Sequence, residues 1–437
     1  MSVPAPLTVS VVGLGKIGLP LAAQFAGRGA RVIGCDINPA VVAAVNAGSC
    51  PILEEPGRPE RVAALVAAGP LTATTDTAAA VAASGVVVII VPLMVDEARA
   101  LDYRAIDAAT RDVARGLQPG TLVLYETTLP VGTTRDRLGL MLESGSGLRM
   151  ERDFALAFSP ERVYSGRIFQ DLAAYPKIVG GIDPASTARA VAFYEAVLEP
   201  GTPIHAVRDA ETAELVKLLE TTYRDVNIAL AGEFARFATG RGLPVDEAIA
   251  AANTQPYSHI HRPGIGVGGH CIPVYPYFLI QDDAAGDLSL PRAARTANDA
   301  MAPWALERLS LALGGLAGHT VLVLGYSYRE NVKEPAFSTA KLLIPQLRDA
   351  GAQPLLCDPL FTPDELAEAG VTVVELGDWP PVGAVIVQAY HQAFGELPWT
   401  AMAAGGCHAV LDGRNALGPH EQAAIAAAGM AYLGIGR

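Results

Sequence analysis

Residues 8–12 (TVSVV) form an apolar run that feeds straight into Gly13-Leu14-Gly15-Lys16-Ile17-Gly18, and a helix-like stretch, LPLAAQFAGRG, follows at once. That order admits few folds. Strand, glycine turn and helix in succession open a βαβ unit, because the glycines let the chain turn tightly and bring its backbone against a pyrophosphate at the helix N-terminus. The next strand-like run, 31–35 (RVIGC), is closed by Asp36, eighteen residues past the last glycine. An acid at that strand end accepts hydrogen bonds from a ribose diol and repels a 2′-phosphate. Gly13, Gly15, Lys16, Ile17, Gly18 and Asp36 are therefore the expected dinucleotide-binding residues, with NAD rather than NADP as cofactor. The plain alternative is a structural glycine turn.

Further strand-like runs at Val86–Val91, Thr121–Tyr125, Ala155–Phe158 and Lys177–Gly180 alternate with alanine-rich segments of helical spacing. Alternation of this kind implies a doubly wound parallel sheet. From about Ala210 the pattern changes: 210–240 carries helical periodicity with no breaker before Gly240, and a second helix runs from Pro244 to about Ala252. A glycine-rich loop (263–271) and helical stretches to about Gly314 follow. HTVLVLG then starts a second βα series, continued by QPLLCDP, VTVVEL, AVIVQA and AVLDGRN. The expected fold is α/β, with two Rossmann-like doubly wound parallel-sheet domains (1–205 and 315–437) joined by a helical middle (206–314) with one long central helix.

A length of 437 residues exceeds one ordinary core, in keeping with that division. A formal charge of −13 argues against nucleic acid as a partner, which needs a basic face. The five cysteines (Cys35, Cys50, Cys271, Cys357, Cys407) show no zinc-ligand or redox-motif spacing, so free thiols in a reducing compartment and no metal are expected. The opening MSVPAPL lacks the charged n-region of a signal peptide, and the longest apolar run, Val86–Val95, is broken by Pro92 and too short to span a bilayer. A cytoplasmic protein without a membrane partner is the expectation.

Four glycines in Pro263-Gly-Ile-Gly-Val-Gly-Gly-His270-Cys271 bring the backbone close to something and then present one thiol. A cysteine is more often a buried small hydrophobe than a nucleophile, but this loop favours the second reading. A thiolate adds to an aldehyde, and loss of hydride from the adduct leaves a thioester. On the long helix, Glu214, Lys217, Thr221 and Arg224 recur at three- and four-residue steps and share a face. Taken alone, that stripe reads as a solvated face of charged pairs. Placed in a cleft, Lys217 would donate to an oxyanion.

At this point the chain resembles the UDP-glucose/GDP-mannose dehydrogenases, the nucleotide-sugar 6-dehydrogenases. The resemblance is carried by VVGLGKIGLPLA, CDIN, ETTLPVGTT (126–134), SPER (159–162), ELVKLLETTYRDVNIAL (214–230), PGIGVGGHCIPVYP (263–276), VLGYSYRENVKEPAFS, CDP (357–359) and DGRN (412–415). The family oxidises a primary alcohol at sugar C6 to a carboxylate while two NAD are reduced. The resemblance implies that Cys271 is the nucleophile of a thiohemiacetal and then a thioester. It makes Lys217 the group that stabilises charge on the substrate oxygen, Thr128 a holder of the catalytic water beside the cofactor, and Glu161 the base of thioester hydrolysis. Substrate contacts are implied for Glu161, Arg162, Lys217, Gly268, Arg329 and Arg414.

Two positions depart from the family's pattern. Thr221 stands four residues after the lysine where asparagine is typical; it keeps a hydroxyl donor and its place in the catalytic set. Tyr275 stands four residues after the cysteine where aspartate is typical, and a neutral phenol removes a negative charge from beside the lysine. The leading expectation is a UDP-sugar 6-dehydrogenase acting on UDP-N-acetylglucosamine, UDP-N-acetylmannosamine or UDP-glucose, the GGHCIP form of the loop pointing to the N-acetylhexosamine branch. Two other readings stand beside it: a two-electron oxidoreductase or epimerase, and a non-catalytic sugar-nucleotide-binding protein. Leu215, Leu218, Leu219, Val226, Ile228 and Leu230 make the long helix too apolar to be solvated all round; by resemblance it is expected to form a homodimer, the alternative being a wholly internal helix spanning the two Rossmann-like domains.

Overall fold

Val86–Ile89 reads VVVI and every one of its side chains is buried. A strand with no polar face needs cover on both sides, which parallel sheets receive from their crossover helices. The computed structural model describes residues 7–50, 58–96, 99–163 and 168–437; residues 1–6, where the reading against a signal peptide begins, lie outside them. The chain divides into two units, residues 1–220 with 277–284, and residues 221–276 with 285–437.

The first unit is built on an eight-stranded sheet of β1 (Thr8–Val12), β2 (Arg31–Cys35), β3 (Leu71–Thr74), β4 (Val86–Ile89), β5 (Leu122–Tyr125), β6 (Ala155–Phe158), β7 (Lys177–Gly181) and β8 (Ile204–Ala206). Their spatial order is β3-β2-β1-β4-β5-β6-β7-β8, so the winding reverses between β1 and β4, where ligands of such sheets bind. Helix α1 (Gly18–Gly27) follows the glycine turn and α2 (Pro184–Val197) packs on the far half of the sheet. Val9, Val11, Leu14, Leu19, Phe25, Val32, Val88, Leu124 and Tyr194 belong to one buried cluster. One strand departs from the expected parallel sheet: β7 runs antiparallel to β6, with Phe158 opposite Gly180 and Ala157 opposite Gly181. The chain returns from β6 without crossing the sheet, so β7 starts at the edge where β6 ends.

The long helix α3 (Ala210–Thr239) is one uninterrupted element of 30 residues. In the second unit α4 (Val245–Ala252), α5 (Pro276–Asp282, which falls with the first unit from Tyr277) and α6 (Ser289–Asp299) precede the second sheet. Its strands are β9 (Thr320–Leu324), β10 (Gln353–Cys357), β11 (Thr372–Val373), β12 (Ala384–Val387), β13 (Ala409–Asp412) and β14 (Ala431–Gly434), ordered β11-β10-β9-β12-β13-β14 and all parallel. Successive residues point to opposite faces and both faces are covered. Val321, Val323, Ile386 and Leu411 join Ala231, Ala235 and Ala238 of α3, while Leu322, Leu324, Val385 and Val410 join Trp399 and Ile425. Three short strands, β3, β8 and β14, were not among the sequence expectations; each lies at or beside a sheet edge and carries little apolar signal. Among the described residues no helix is long and apolar enough to cross a membrane.

Candidate active site

At the end of β1, Gly13 takes φ +96° and its N–H donates to Cys35 O at 2.8 Å, fixing the turn against β2. A Cβ on Gly18 would sit 1.8 Å from the Gly13 carbonyl oxygen, so only glycine closes this turn. Gly15 is different: nothing lies within 4 Å of where its Cβ would be. Packing does not demand a glycine there, whereas a ligand approaching the backbone does. Ile17 gives α1 no side-chain cap and the first turn holds no acid, so no side-chain anion of the helix occupies its positive end; within that turn Leu19 N donates to Gly15 O (3.2 Å), Leu21 N to Ile17 O (3.1 Å), and Pro20 has no N–H. Asp36 is half-buried at the end of β2; its two oxygens accept from Leu14 N and Asn38 N, both at 2.9 Å, which orients the carboxylate and leaves further lone pairs. The turn, the uncapped helix and the oriented acid fit NAD.

The ends of β5 and β6 carry the next group. Thr128 is buried in the segment after β5, where Thr127 Oγ1 donates to Val91 O at 2.6 Å. Glu214 of α3 clamps the same segment: its carboxylate accepts from Gly132 N (2.6 Å), Thr134 N (2.8 Å) and Thr134 Oγ1 (2.6 Å). Burial pushes the Glu214 carboxyl up to about 7 against the pull of these donors. One helical turn on, Lys217 donates from Nζ to the Glu161 carbonyl oxygen at 2.6 Å. The structure thus brings Lys217 and Glu161 together, and the stripe is not solvated: Glu214, Lys217 and Thr221 are all buried. Arg162 is committed nearby, to Glu220 at 2.5 Å and to Pro176 O at 3.2 Å.

Sequence reasoning missed a second lysine. Lys177, the first residue of β7, lies between two carboxylates, 2.8 Å from Glu126 Oε2 and 3.0 Å from Glu161 Oε2, and its ammonium stands 4.9 Å from the Tyr194 ring centre. Tyr194 OH donates to Glu126 Oε1 at 2.7 Å. Burial raises the Glu126 carboxyl above its usual value despite Lys177. For Glu161 burial also works against the charge, but Lys177 and the Arg162 N–H outweigh it and hold the carboxyl below its usual value. No spacing rule in the sequence could have paired residues so far apart.

In the second unit, Cys271 opens a turn in which Tyr275 N donates to Cys271 O at 2.9 Å, which sets Tyr275 one helical turn beyond the thiol. The other four cysteines are buried, and burial lifts the Cys35 and Cys357 thiols to about 12; Cys271 alone is half-exposed. A Cβ on Gly268 would meet Tyr328 Cβ at 2.6 Å and Phe337 O at 2.8 Å, so the loop lies directly on the segment after β9. Arg414, expected to meet substrate, donates to three main-chain carbonyls: Gln388 O (3.1 Å), Gly266 O (3.1 Å) and Tyr328 O (2.9 Å). It fastens the cysteine loop to the ends of β9, β12 and β13. Arg329 follows Tyr328 and donates from Nε to its hydroxyl at 3.0 Å. His270 Nε2 lies 3.2 Å from Glu334 Oε2. Arg262, Arg414 and Arg437 line a cavity of about 410 Å³ with Asp246, Asn253 and Asn415.

The acid that would bind a ribose in the second sheet is already occupied. Asp358 at the end of β10 is buried, and its Oδ2 takes Tyr326 N (2.7 Å), Ser327 N (3.0 Å) and His391 Nε2 (3.0 Å). With Asn331 N donating to His391 Nδ1 at 2.8 Å, the imidazole is held with its proton on Nε2. Among the described residues, the open dinucleotide turn is that of the first sheet. Among the described residues no three His, Cys, Asp or Glu side chains gather as a metal site.

Comparison with known proteins agrees with this geometry. Residues 7–198 match the NAD binding domain of the UDP-glucose/GDP-mannose dehydrogenase family, residues 211–300 its central domain and residues 322–419 its UDP binding domain. The chain is 36% identical to a UDP-N-acetyl-D-mannosamine dehydrogenase of Pyrococcus horikoshii over 440 residues, covering 99% of each. A solved structure of UDP-D-ManNAc dehydrogenase from Pyrococcus horikoshii superposes with a TM-score of 0.87 at 33% identity, over 99% of both chains. A UDP-glucose dehydrogenase from Pyrobaculum islandicum gives 0.86 at 26% identity over the whole of both. The chain belongs to the UDP-glucose/GDP-mannose dehydrogenase family and is an NAD-dependent nucleotide-sugar dehydrogenase.

Proposed function

We propose that the chain oxidises the C6 hydroxyl of a UDP-N-acetylhexosamine, UDP-N-acetylmannosamine foremost, to the uronate in two hydride transfers. The observation that carries this is Cys271, the one cysteine left half-exposed, set on a glycine loop in a chain whose full-length relative is a UDP-N-acetyl-D-mannosamine dehydrogenase. Bound NAD supplies hydride acceptance. Ile37, 92% exposed beside Asp36, offers an apolar face to the adenine, and Asp36 takes the ribose diol. Arg262 and Arg437 at the unit-2 cavity carry the charge that a nucleoside diphosphate needs.

The residues then divide the chemistry. Lys217 stabilises negative charge on the C6 oxygen as the alcohol becomes an aldehyde. The Cys271 thiolate adds to the aldehyde carbon to give a thiohemiacetal, whose oxidation leaves a thioester. Thr128 holds a water; Glu161 takes one of its protons as the oxygen bonds to the thioester carbon, and the C–S bond breaks to return the Cys271 thiolate. Thr221 supports Lys217 as a hydroxyl donor. Tyr275 offers a phenol where a carboxylate is typical, which favours, as a second reading, release after one oxidation. NADH counted per mole of limiting UDP-N-acetylmannosamine, UDP-N-acetylglucosamine or UDP-glucose decides between them: two per sugar supports full oxidation, and one supports the second reading.

Tyr223, Leu230, Phe234 and Phe237 lie along α3 at 54%, 42%, 40% and 58% exposure, an apolar stripe suited to a second copy of the chain. A homodimer through α3 follows from this reading. Light scattering of the Phe234→Glu variant should report a monomer where the wild type is a dimer; a monomeric wild type would remove the proposal.

A further inference from the structure

The reversed strand β7 has a chemical result. Its register sets Phe158 opposite Gly180, and beyond the end of β6 the first residue of β7, Lys177, reaches the side chain of Glu161. A parallel β7 would begin at the other edge of the sheet. The reversal thus delivers an ammonium 3.0 Å from the carboxylate of the proposed base. Lys217 donates to the main-chain oxygen of Glu161, and its charge also favours the ionised carboxyl, though less than that of Lys177.

We propose that Lys177 is a positioning residue that keeps the Glu161 carboxylate ionised and aimed, with Glu126 and Tyr194 holding Lys177 from behind. The inference rests on the reading of Glu161 as the hydrolytic base. A base in so dry a place faces a conflict, because the exclusion of water that strengthens catalysis also favours the protonated acid. An ammonium in hydrogen-bond contact resolves it. Among the described residues, the groups facing Glu161 are Lys177 from β7, the Arg162 N–H and Lys217 from α3; those facing Glu126 are Lys177 and the Tyr194 hydroxyl from α2. Glu126 and Glu161 share one cation. Directions agree with this division: the Glu161 carboxyl lies below its usual value, the Glu126 carboxyl above, and Lys177, though burial opposes its charge, is held above by the two carboxylates.

Sharing makes the test directional. Lys177→Met removes the cation, so the acid limb of the pH–kcat profile should move up by a pH unit or more, about a tenfold loss at a pH on that limb. Glu126→Gln leaves the cation wholly to Glu161, so the limb should move down. Lys177→Arg keeps the charge and should restore the wild-type midpoint. NAD binding and the circular dichroism spectrum check that each variant is folded, and the Lys177→Met/Glu126→Gln double variant, which removes the pair together, keeps the test open should Lys177→Met fail to fold. Lower kcat with unmoved midpoints would mean a structural role only and overturn the inference.

A second readout needs no turnover: infrared titration of the carboxyl band in folded Lys177→Met should show a group that titrates at higher pH than in the wild type and disappears when Glu161→Gln is added. If Glu161→Gln still yields two NADH per sugar at the wild-type rate, the base assignment fails while the infrared result still decides the role of Lys177. If Glu161→Gln stalls after the first NADH and the midpoints and infrared band do not move, only the role of Lys177 fails.

Discussion

Glu214 ties α3 to the loop of Thr128, and its environment turns that tie into a pH dependence. The side chain is fully buried, and burial holds its carboxyl at about 7 against an ordinary value of 4.5. A carboxyl raised on folding means that the native state holds a proton that the unfolded chain has lost between those two values. Stability therefore falls as pH rises through this window and levels off above about 7. At about 1.4 kcal/mol per pH unit, the window is worth about 3 kcal/mol. Glu214→Gln cannot ionise and removes the slope. It also faces an amide NH2 toward the Gly132 or Thr134 donors, so it costs about 1–3 kcal/mol at every pH. Urea unfolding of the first unit, followed for wild type and variant from pH 5 to 8, separates the two effects. The variant should be the less stable at pH 5 and lose its deficit toward pH 8. Parallel stability curves would refute the reasoning, because a constant difference reports only the altered hydrogen bonds.

Other outcomes follow from the same geometry. Gly18→Ala would place a methyl 1.8 Å from the Gly13 carbonyl, so the turn must open, and NADH fluorescence titration should show at least tenfold weaker binding in a protein with an unchanged circular dichroism spectrum. Iodoacetamide applied to the native protein should label Cys271 well before Cys35, Cys357 or Cys407, whose thiols burial keeps protonated; equal labelling on peptide mapping would contradict their burial. Arg295→Met strands the buried Asp225 carboxylate, whose Oδ1 now meets the guanidinium at 2.5 Å, and should cost about 3–5 kcal/mol in denaturant unfolding of the second unit.

Much of the frame was legible because it is written in local patterns. β1, β2 and α1 flank a glycine turn whose spacing is fixed by short-range sterics, and the run from Ala210 to Thr239 shows its helix through periodicity alone. Cys271 stood out because four glycines lead up to one thiol, although packing accounts for Gly266 and Gly268, whose Cβ atoms would meet Thr339 and Tyr328. What stayed hidden depends on partners far away in the chain. Lys177 opens an apolar strand-like run, and no neighbour in sequence marks its partners; the reversed direction of β7 brings two carboxylates beside it. Glu214 and Lys217 looked like a charged outer stripe because spacing shows a shared face and not what that face meets. Asp358 has the same place in its sheet as Asp36, and nothing near it in sequence announces that His391 fills it.

That filled acid leaves one open dinucleotide turn among the described residues, although two domains have the shape for one. Under the reading proposed above, a single seat must serve two successive oxidations, so it has to be vacated and refilled while the half-oxidised sugar waits. A free aldehyde would have that whole interval in which to escape or react elsewhere. Tethering it to Cys271 turns the waiting period into a covalent hold. The His391–Asp358 lock in one domain thus makes retention of the intermediate the task of a thiol on a different loop.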